Sequence, residues 1–492
     1  MEQISDRDKI IEKFRPLFYP KSIAIVGASK NKIGGSKFWL ALKYTKYEEN
    51  GGKVYLINPN ITELFGEKVY PNLNDENIPK PIDLVIIAVP ARYVPEIVLQ
   101  CDKIVKYGVI YTSGFGEANN IPLEKKLKEA IHSVSTRFIG PNGLGIINPY
   151  GRIAIYPGWE VYKGHVSYIS QSGGTLARLY MNLGPLGIGF HNCVSIGNSY
   201  DISTNDLLEY FYQDSLTKII ALYLESIPDG RKFMQLARKI TPTKPIILWK
   251  GGQTQRGIAA TFSHTGGLAG KYEIWKAMCK QSGILLADHF ELFLDLIQVA
   301  SVRPIAPENL NVAILVAGGG IGVEFTDKFE SVGFNIVDLQ EDTINRLSKI
   351  FPPVNTNLKN PLDLGELSYD PRLFSKAMEI VLNDKGVGSV VFVREAERFN
   401  IISKMLGIAD PQQMTIDSLS EIIKKSDKPV ICNSSMNVDT ELGYHQRHEF
   451  QVKMIEAGIP VINYLGNIPK ILIQFYYYGK FKQKIKKKMK MD

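Results

Sequence analysis

Short apolar runs recur along the whole chain, with longer helix-spaced stretches between them. Lys21–Val26, Gly52–Ile57, Asp83–Val89, Gly108–Thr112 and Arg137–Ile139 read as strands. They lack the alternation of a half-buried strand, which is the pattern of parallel strands covered on both faces. Pro95–Tyr107 and Pro122–Ser133 carry apolar residues at helical spacing. Parallel strands joined by helices build a doubly wound α/β domain. The glycine-, proline- and tyrosine-rich stretch Asn142–Gly164 breaks the pattern and marks a boundary.

A second series follows. Its strands are His165–Ser170, Phe190–Ile196, Lys218–Leu224, Pro245–Trp249 and Ile284–Ala287, and its helices include Asp206–Gln213, Arg231–Ile240, Tyr272–Ser282 and Phe290–Val302. Arg303–Leu310 has two prolines and no period, so it reads as a linker. A third series opens at Asn311–Val316 and continues with strands Ser389–Arg394, Pro429–Asn433 and Pro460–Tyr464. The predicted fold class is α/β, with three successive Rossmann-like or flavodoxin-like doubly wound domains. Their bounds are 1–145, 160–302 and 309–478, followed by a basic tail at 479–492.

The length of 492 residues suits about three domains. Hydrophobic residues at 45% and charged residues at 22% are those of a globular chain. Cys101, Cys193, Cys279 and Cys432 form no C-x-x-C pair, so no metal site or disulfide framework is expected. The charged start lacks an apolar leader core, and no apolar run is long enough to span a bilayer. A cytoplasmic protein without a membrane partner is the expectation. A formal charge of +8 hints at a polyanionic partner. However, Lys480–Asp492 holds seven lysines and one aspartate, six of the eight excess charges. The rest of the chain is nearly neutral, so a solvated, disordered tail is expected, and no nucleic acid.

Candidate chemistry sits where strands end. Gly27-Ala28-Ser29-Lys30-Asn31-Lys32-Ile33-Gly34-Gly35 follows the first strand and precedes a helix, where an open α/β sheet binds phosphates. It is not G-x-G-x-x-G, and the second strand ends in Asn58-Pro59-Asn60 with no acid for a ribose diol. That argues against a nicotinamide enzyme and for another nucleotide-like ligand, with a packing glycine turn as the competing reading. Ser113–Glu117 and Gly140–Gly143 leave other strands of the same sheet. In the second and third series, Ser170-Gln171-Ser172-Gly173-Gly174 and Ala317–Gly322 join a strand to a helix and expose N–H donors suited to an anion.

Of seven histidines, His264 stands apart in Thr261–Gly270, a run of small residues that leaves an imidazole accessible. Unprotonated imidazole attacks phosphorus; a capping role is the alternative. Glu225 ends a strand at the functional edge of its sheet, where a carboxylate orients an imidazole.

These segments resemble the α subunit of NDP-forming acyl-CoA synthetases, also called ADP-forming acetate–CoA ligases, and more distantly that of succinyl-CoA synthetase. The resemblance rests on SHTGGLAG at Ser263–Gly270, YLESIPDGRKF at Tyr223–Phe233, SQSGG at Ser170–Gly174, GPNGLGIIN at Gly140–Asn148, VGAS at Val26–Ser29 and NPLDL at Asn360–Leu364. It implies that acyl-CoA and phosphate give an acyl phosphate and CoA, and that the phosphoryl group passes through a histidine to ADP. His264 would be that histidine and Glu225 its stabilising carboxylate. Ser172, Gly173 and Gly174 would form one phosphate-binding helix start, and Gly318, Gly319 and Gly320 the other. Gly27, Ser29, Gly34 and Gly35 would hold coenzyme A, with Pro90, Ser113, Gly114 and Phe115 along the same crevice.

Gly143, Ala317 and Asn60 depart from the family's usual Cys, Asn and Lys. The chain holds no recognisable ATP-grasp segment. The resemblance therefore implies a hetero-oligomer whose ATP-grasp β subunit binds ADP or ATP with Mg2+, acting on a carboxylic acid or acyl-CoA. A non-catalytic CoA-binding regulator or scaffold of the same fold is the alternative, favoured by Ala317.

Overall fold

A computed structural model describes residues 6–265, 271–397, 405, 407–434, 440–488 and 490, without the side chains of 6 and 262–265. Packing divides the chain into two compact units, Met1–Asp288 and His289–Asp492.

The first unit holds two sheets. The first sheet comprises β1 (Ser22–Val26), β2 (Lys53–Ile57), β3 (Glu63–Leu64), β4 (Glu67–Tyr70), β5 (Ile82–Ile87), β6 (Val105–Ile110) and β7 (Arg137–Ile139). Their order is β3-β4-β2-β1-β5-β6-β7, parallel except for the β3–β4 hairpin. All six residues of β5 are buried, which is why its sequence runs apolar without alternation. From β1 the chain goes one way to β2 and later the other way to β5. Their exits part there and leave a crevice at the carboxyl edge.

The second sheet comprises β8 (Gly145–Ile147), β9 (Lys163–Ser170), β10 (Phe190–Ser195), β11 (Ile219–Leu224), β12 (Ile246–Lys250) and β13 (Leu285–Ala287). Its order is β13-β12-β11-β9-β10-β8, with only β8 antiparallel. Here the switch point falls between β9 and β11. Buried side chains tie the two sheets together. Asn148 donates to Phe18 O at 2.9 Å and Asn192 Oδ1 at 2.8 Å, and accepts from Gly151 N–H at 2.6 Å. Tyr19 meets His191 Nε2 at 2.6 Å, while His191 Nδ1 is 2.7 Å from Asp214.

Two details differ from the sequence pattern. The helix expected over Pro95–Tyr107 ends at Gln100, and β6 begins at Val105. Ile104, Val105 and Tyr107 mimic helical spacing, but Lys103 takes a left-handed turn (φ 61°) that breaks the helix. The segment read as a boundary also contributes β8, whose three residues are too few to show a period.

The second unit is built on β14 (Asn311–Val316), β15 (Asn335–Ile336), β16 (Leu362–Asp363), β17 (Ser389–Val393), β18 (Val430–Asn433) and β19 (Val461–Ile462). The order is β15-β14-β17-β18-β19, with β16 also pairing β14. Asn360 stitches this end, accepting from Ile314 N–H and donating to Val312 O and Val337 O. The helix Phe290–Val302 belongs to this unit, and its Gln298 side chain accepts from Val461 N–H at 2.9 Å. The basic tail is not irregular over its described part: one helix spans Asn467–Lys488. It buries Ile468, Ile471, Leu472, Phe475 and Tyr478 at helical spacing, and its lysine-rich last turns sit where the helix dipole favours cations. Among the described residues, no helix is long and apolar enough to cross a membrane.

Candidate functional site

The turn after β1 is held in a tight fold. Gly27 has φ +98°, and a β-carbon there would stand 2.2 Å from Ala88 O at the exit of β5. Gly35 is equally confined, since its β-carbon would meet Gly27 O at 2.8 Å. Ser29 N–H donates to Ser36 Oγ at 2.9 Å, and Ser36 returns the bond to Ser29 O. Asn58 Nδ2 donates to Ala28 O at 2.7 Å, so the residue that ends β2 in place of an acid locks the turn. Between these ties Gly34 faces open space, with nothing nearer its β-carbon position than 3.8 Å.

Pro90 and Ser113 lie exposed at the exits of β5 and β6, and Thr112 Oγ bridges those exits to Val89 O at 2.7 Å. Two residues beside them contribute differently from the sequence expectation. Phe115 is wholly buried in the core of the first sheet. The Gly114 and Phe115 N–H groups already donate to Glu117, at 2.6 and 3.2 Å. Glu117 also accepts from Asn198, in the loop after β10, at 2.5 Å. Gly143 packs so closely that a β-carbon would stand 2.8 Å from Ser195 O, which is the local reason for glycine there.

At the second sheet's switch point, the exits of β9 and β11 are joined through Gln171. Its backbone N–H donates to Tyr223 O at 3.1 Å, and its side-chain oxygen accepts from Glu225 N–H at 2.5 Å and Ser226 N–H at 3.0 Å. Ser172 caps the helix Gly173–Leu183 by accepting from Thr175 N–H at 3.3 Å, while its own N–H donates to Ser170 Oγ at 3.1 Å. Among the described residues, the N–H groups of Gly173 and Gly174 keep no acceptor, leaving two donors at the positive end of the helix. Glu225 is 7% exposed and accepts from Tyr223 O–H at 3.1 Å.

Lys250 ends β12 beside this point and is fully buried. It donates to Gly251 O and Gly252 O and lies 5.1 Å over the Trp275 ring. Burial pulls its ammonium down to about 8, against the opposing pull of the Glu225 charge. The chain then enters the helix Gln255–Thr265, whose last turn contains the backbone of His264. That helix lies against the turn Gly116–Ala118 that follows Ser113–Phe115. The His264 side chain, with most of the small-residue run after it, falls outside the described residues.

Gln171, Lys250 and Glu117 escape sequence reasoning, although each has a signal. Gln171 lies inside SQSGG, Lys250 is a charge closing an apolar strand, and Glu117 follows a glycine turn.

In the second unit, Gly318 precedes the helix Gly319–Glu330 without a side-chain cap. A β-carbon at Gly318 or Gly320 would meet nothing, and one at Gly319 would lie 3.5 Å from Asp363 Oδ2 at the end of β16. The third glycine turn thus stands open at its sheet's carboxyl edge. Among the described residues, no cluster of His, Cys, Asp and Glu has the makings of a metal site.

Comparison with known proteins extends these observations. A CoA binding domain matches residues 21–149, and a succinyl-CoA ligase like flavodoxin domain matches residues 163–300. An ADP-forming acetate–CoA ligase of Methanocaldococcus jannaschii is 42% identical over 349 residues, which cover 70% of this chain and 48% of that protein. The chain thus spans about half the length of that relative. The ADP-forming acetate–CoA ligase I subunit alpha of Pyrococcus furiosus is 32% identical over 480 residues, 96% of this chain and 99% of that subunit. Among solved structures, the dinucleotide-forming acetyl-coenzyme A synthetase 1 of Ca. Korarchaeum cryptofilum, in complex with phosphate and ADP, superposes with a TM-score of 0.80 at 31% identity. That match covers 96% of this chain and 98% of that one.

Proposed function

Because the chain belongs to the ADP-forming acetate–CoA ligase family, we propose that it acts in the cytoplasm as the α subunit of an acid–thiol ligase. It interconverts acyl-CoA, ADP and phosphate with a carboxylic acid, ATP and CoA. Residues 1–145 bind CoA, 160–302 carry the phosphorylated histidine, and 309–478 supply a second phosphate-binding turn. An ATP-grasp β subunit binds the nucleotide with Mg2+.

Three transfers follow. A phosphate oxygen attacks the thioester carbonyl, the C–S bond breaks, and CoA leaves as the thiol with acyl phosphate formed. His264 then attacks phosphorus and the carboxylate departs. ADP finally takes the phosphoryl group from His264, giving ATP. Glu225 accepts the N–H of the non-reacting imidazole nitrogen and so keeps the attacking nitrogen unprotonated. The N–H groups of Gly173 and Gly174 offer positive partial charge to the phosphoryl oxygens without a formal cation, and the open turn Gly318–Gly320 of the second unit is an anion-binding turn of the same kind. Gly27, Gly34 and Gly35 let a pyrophosphate approach backbone at the parted exits of β1 and β5. These residues fit CoA, since the turn is both held and open at Gly34.

One observation carries this reading. The helix that contains His264 leaves β12 next to Glu225 and lies against the turn Gly116–Ala118 beside the CoA crevice. The test mixes the purified chain with a purified ATP-grasp subunit of the same source. ATP should form from acyl-CoA, ADP and phosphate with the mixture and with neither protein alone. No ATP from acetyl-, propionyl-, branched or aryl-acyl-CoA would contradict the reading.

A further inference from the structure

Lys37 lies in the first turn of the helix Ser36–Tyr44, directly after the CoA turn, and is 3% exposed. Three aromatic rings surround its ammonium, with centroids at 3.9 Å for Tyr111, 4.5 Å for Tyr156 and 4.8 Å for Phe38. No oxygen among the described residues accepts its protons, and its Nζ is not sealed from solvent. Ring faces offset part of the cost of burying a cation, but they do not replace the hydrogen bonds that an ammonium loses on leaving water. Burial accordingly draws Lys37 down to about 8, which still leaves it mostly protonated at neutral pH.

Two more donors gather at this point. Neither the Tyr111 nor the Tyr156 hydroxyl has a partner among the described residues, and burial raises the Tyr111 phenol with Tyr156 beside it adding to the rise, so the two are neighbours. The place is the carboxyl edge of the first sheet. Tyr111 follows β6 and precedes Ser113 by two residues, while Lys37 follows Gly35 by two. Phe38 continues the aromatic wall toward an apolar recess lined by Leu42, Val109, Ile146 and Ile153.

We propose that Lys37, with the Tyr111 and Tyr156 hydroxyls, forms a subsite for a carboxylate of the acid substrate. An ammonium and two phenols offer donors only toward a single anion, and a carboxylate completes bonds that the protein itself leaves unmade. The inference rests on the acyl-CoA ligase reading of the crevice. The carboxylate has two sources: the reacting group of any acid, or the distal group of a dicarboxylic acid.

The test compares KM for acetate, butyrate, succinate and glutarate in the α–β pair carrying wild-type chain, Lys37→Met, Lys37→Arg or Tyr156→Phe. KM for CoA reports whether the crevice is intact. Lys37→Met should raise KM at least tenfold, and Lys37→Arg should recover part of the loss. A rise for every acid assigns the reacting carboxylate, and a rise for succinate and glutarate alone assigns the distal one. Unchanged KM for all four acids in both Lys37→Met and Tyr156→Phe would overturn the subsite. A wild-type pair that turns over none of the acids would instead contradict the ligase reading. Calorimetric titration of the full chain with acetate and succinate then decides the subsite separately. Binding at least tenfold weaker in Lys37→Met supports it, and equal binding in wild type and variant overturns it.

Discussion

Gly27→Val is expected to weaken CoA binding at least 100-fold while leaving the second unit folded. The backbone at Gly27 sits at φ +98°, a region closed to β-branched residues. Its β-carbon would also stand 2.2 Å from Ala88 O and 2.8 Å from Ala88 C. Both atoms are main chain, so the clash cannot be relieved by turning a side chain. It would push apart the exits of β1 and β5, whose separation defines the crevice. Calorimetric titration with CoA should show affinity at least 100-fold weaker, a loss of about 2.7 kcal/mol. Gly230→Ala is the matched control, because a β-carbon there meets nothing within 4 Å and the site starts a surface helix. It should bind CoA like the parent.

Glu225→Gln is expected to lower phosphoryl transfer on the order of 100-fold or more, the usual worth of a positioned acid–base partner. The substitution keeps the shape of the side chain and an oxygen for Tyr223 O–H, and Gln171 holds position 225 through the backbone. What it removes is the negative charge that fixes the imidazole tautomer. It also leaves the buried ammonium of Lys250 without the anion that opposes its deprotonation, so Lys250 should lose its proton at lower pH than in the parent. Burst measurements of phosphoenzyme formation should show a slower rate at unchanged CoA affinity. A normal rate would remove Glu225 from the mechanism.

The parts legible in the sequence and those hidden from it divide along a physical line. Strands buried on both faces announce themselves as apolar runs, so β1, β7, β9, β11 and β14 fall within two residues of their expected bounds. Glycine turns at strand exits are equally visible, because close backbone approach demands glycine at Gly27 and Gly35 whatever the ligand. Long-range ties are not visible. Gln171 acts on Glu225 across 54 residues, and Glu117 reaches Asn198 across 81. Phe115 shows what the pattern leaves open: this residue beside a glycine turn points its ring inward, because an aromatic ring gains from burial in the core. The basic tail shows how composition misleads when apolar residues just before it commit the backbone to a helix. His264 is legible from its small-residue motif.

Phosphate from the acyl-CoA reaction is expected to come to rest on His264. Incubating the purified chain with acyl-CoA and radiolabelled phosphate should give an acid-labile, base-stable label that maps to the peptide containing His264. The label should discharge on addition of ADP and the partner subunit, and Gly230→Ala should carry it normally. His264→Ala should carry none while still binding CoA. Full labelling of His264→Ala would remove His264 from the phosphoryl path.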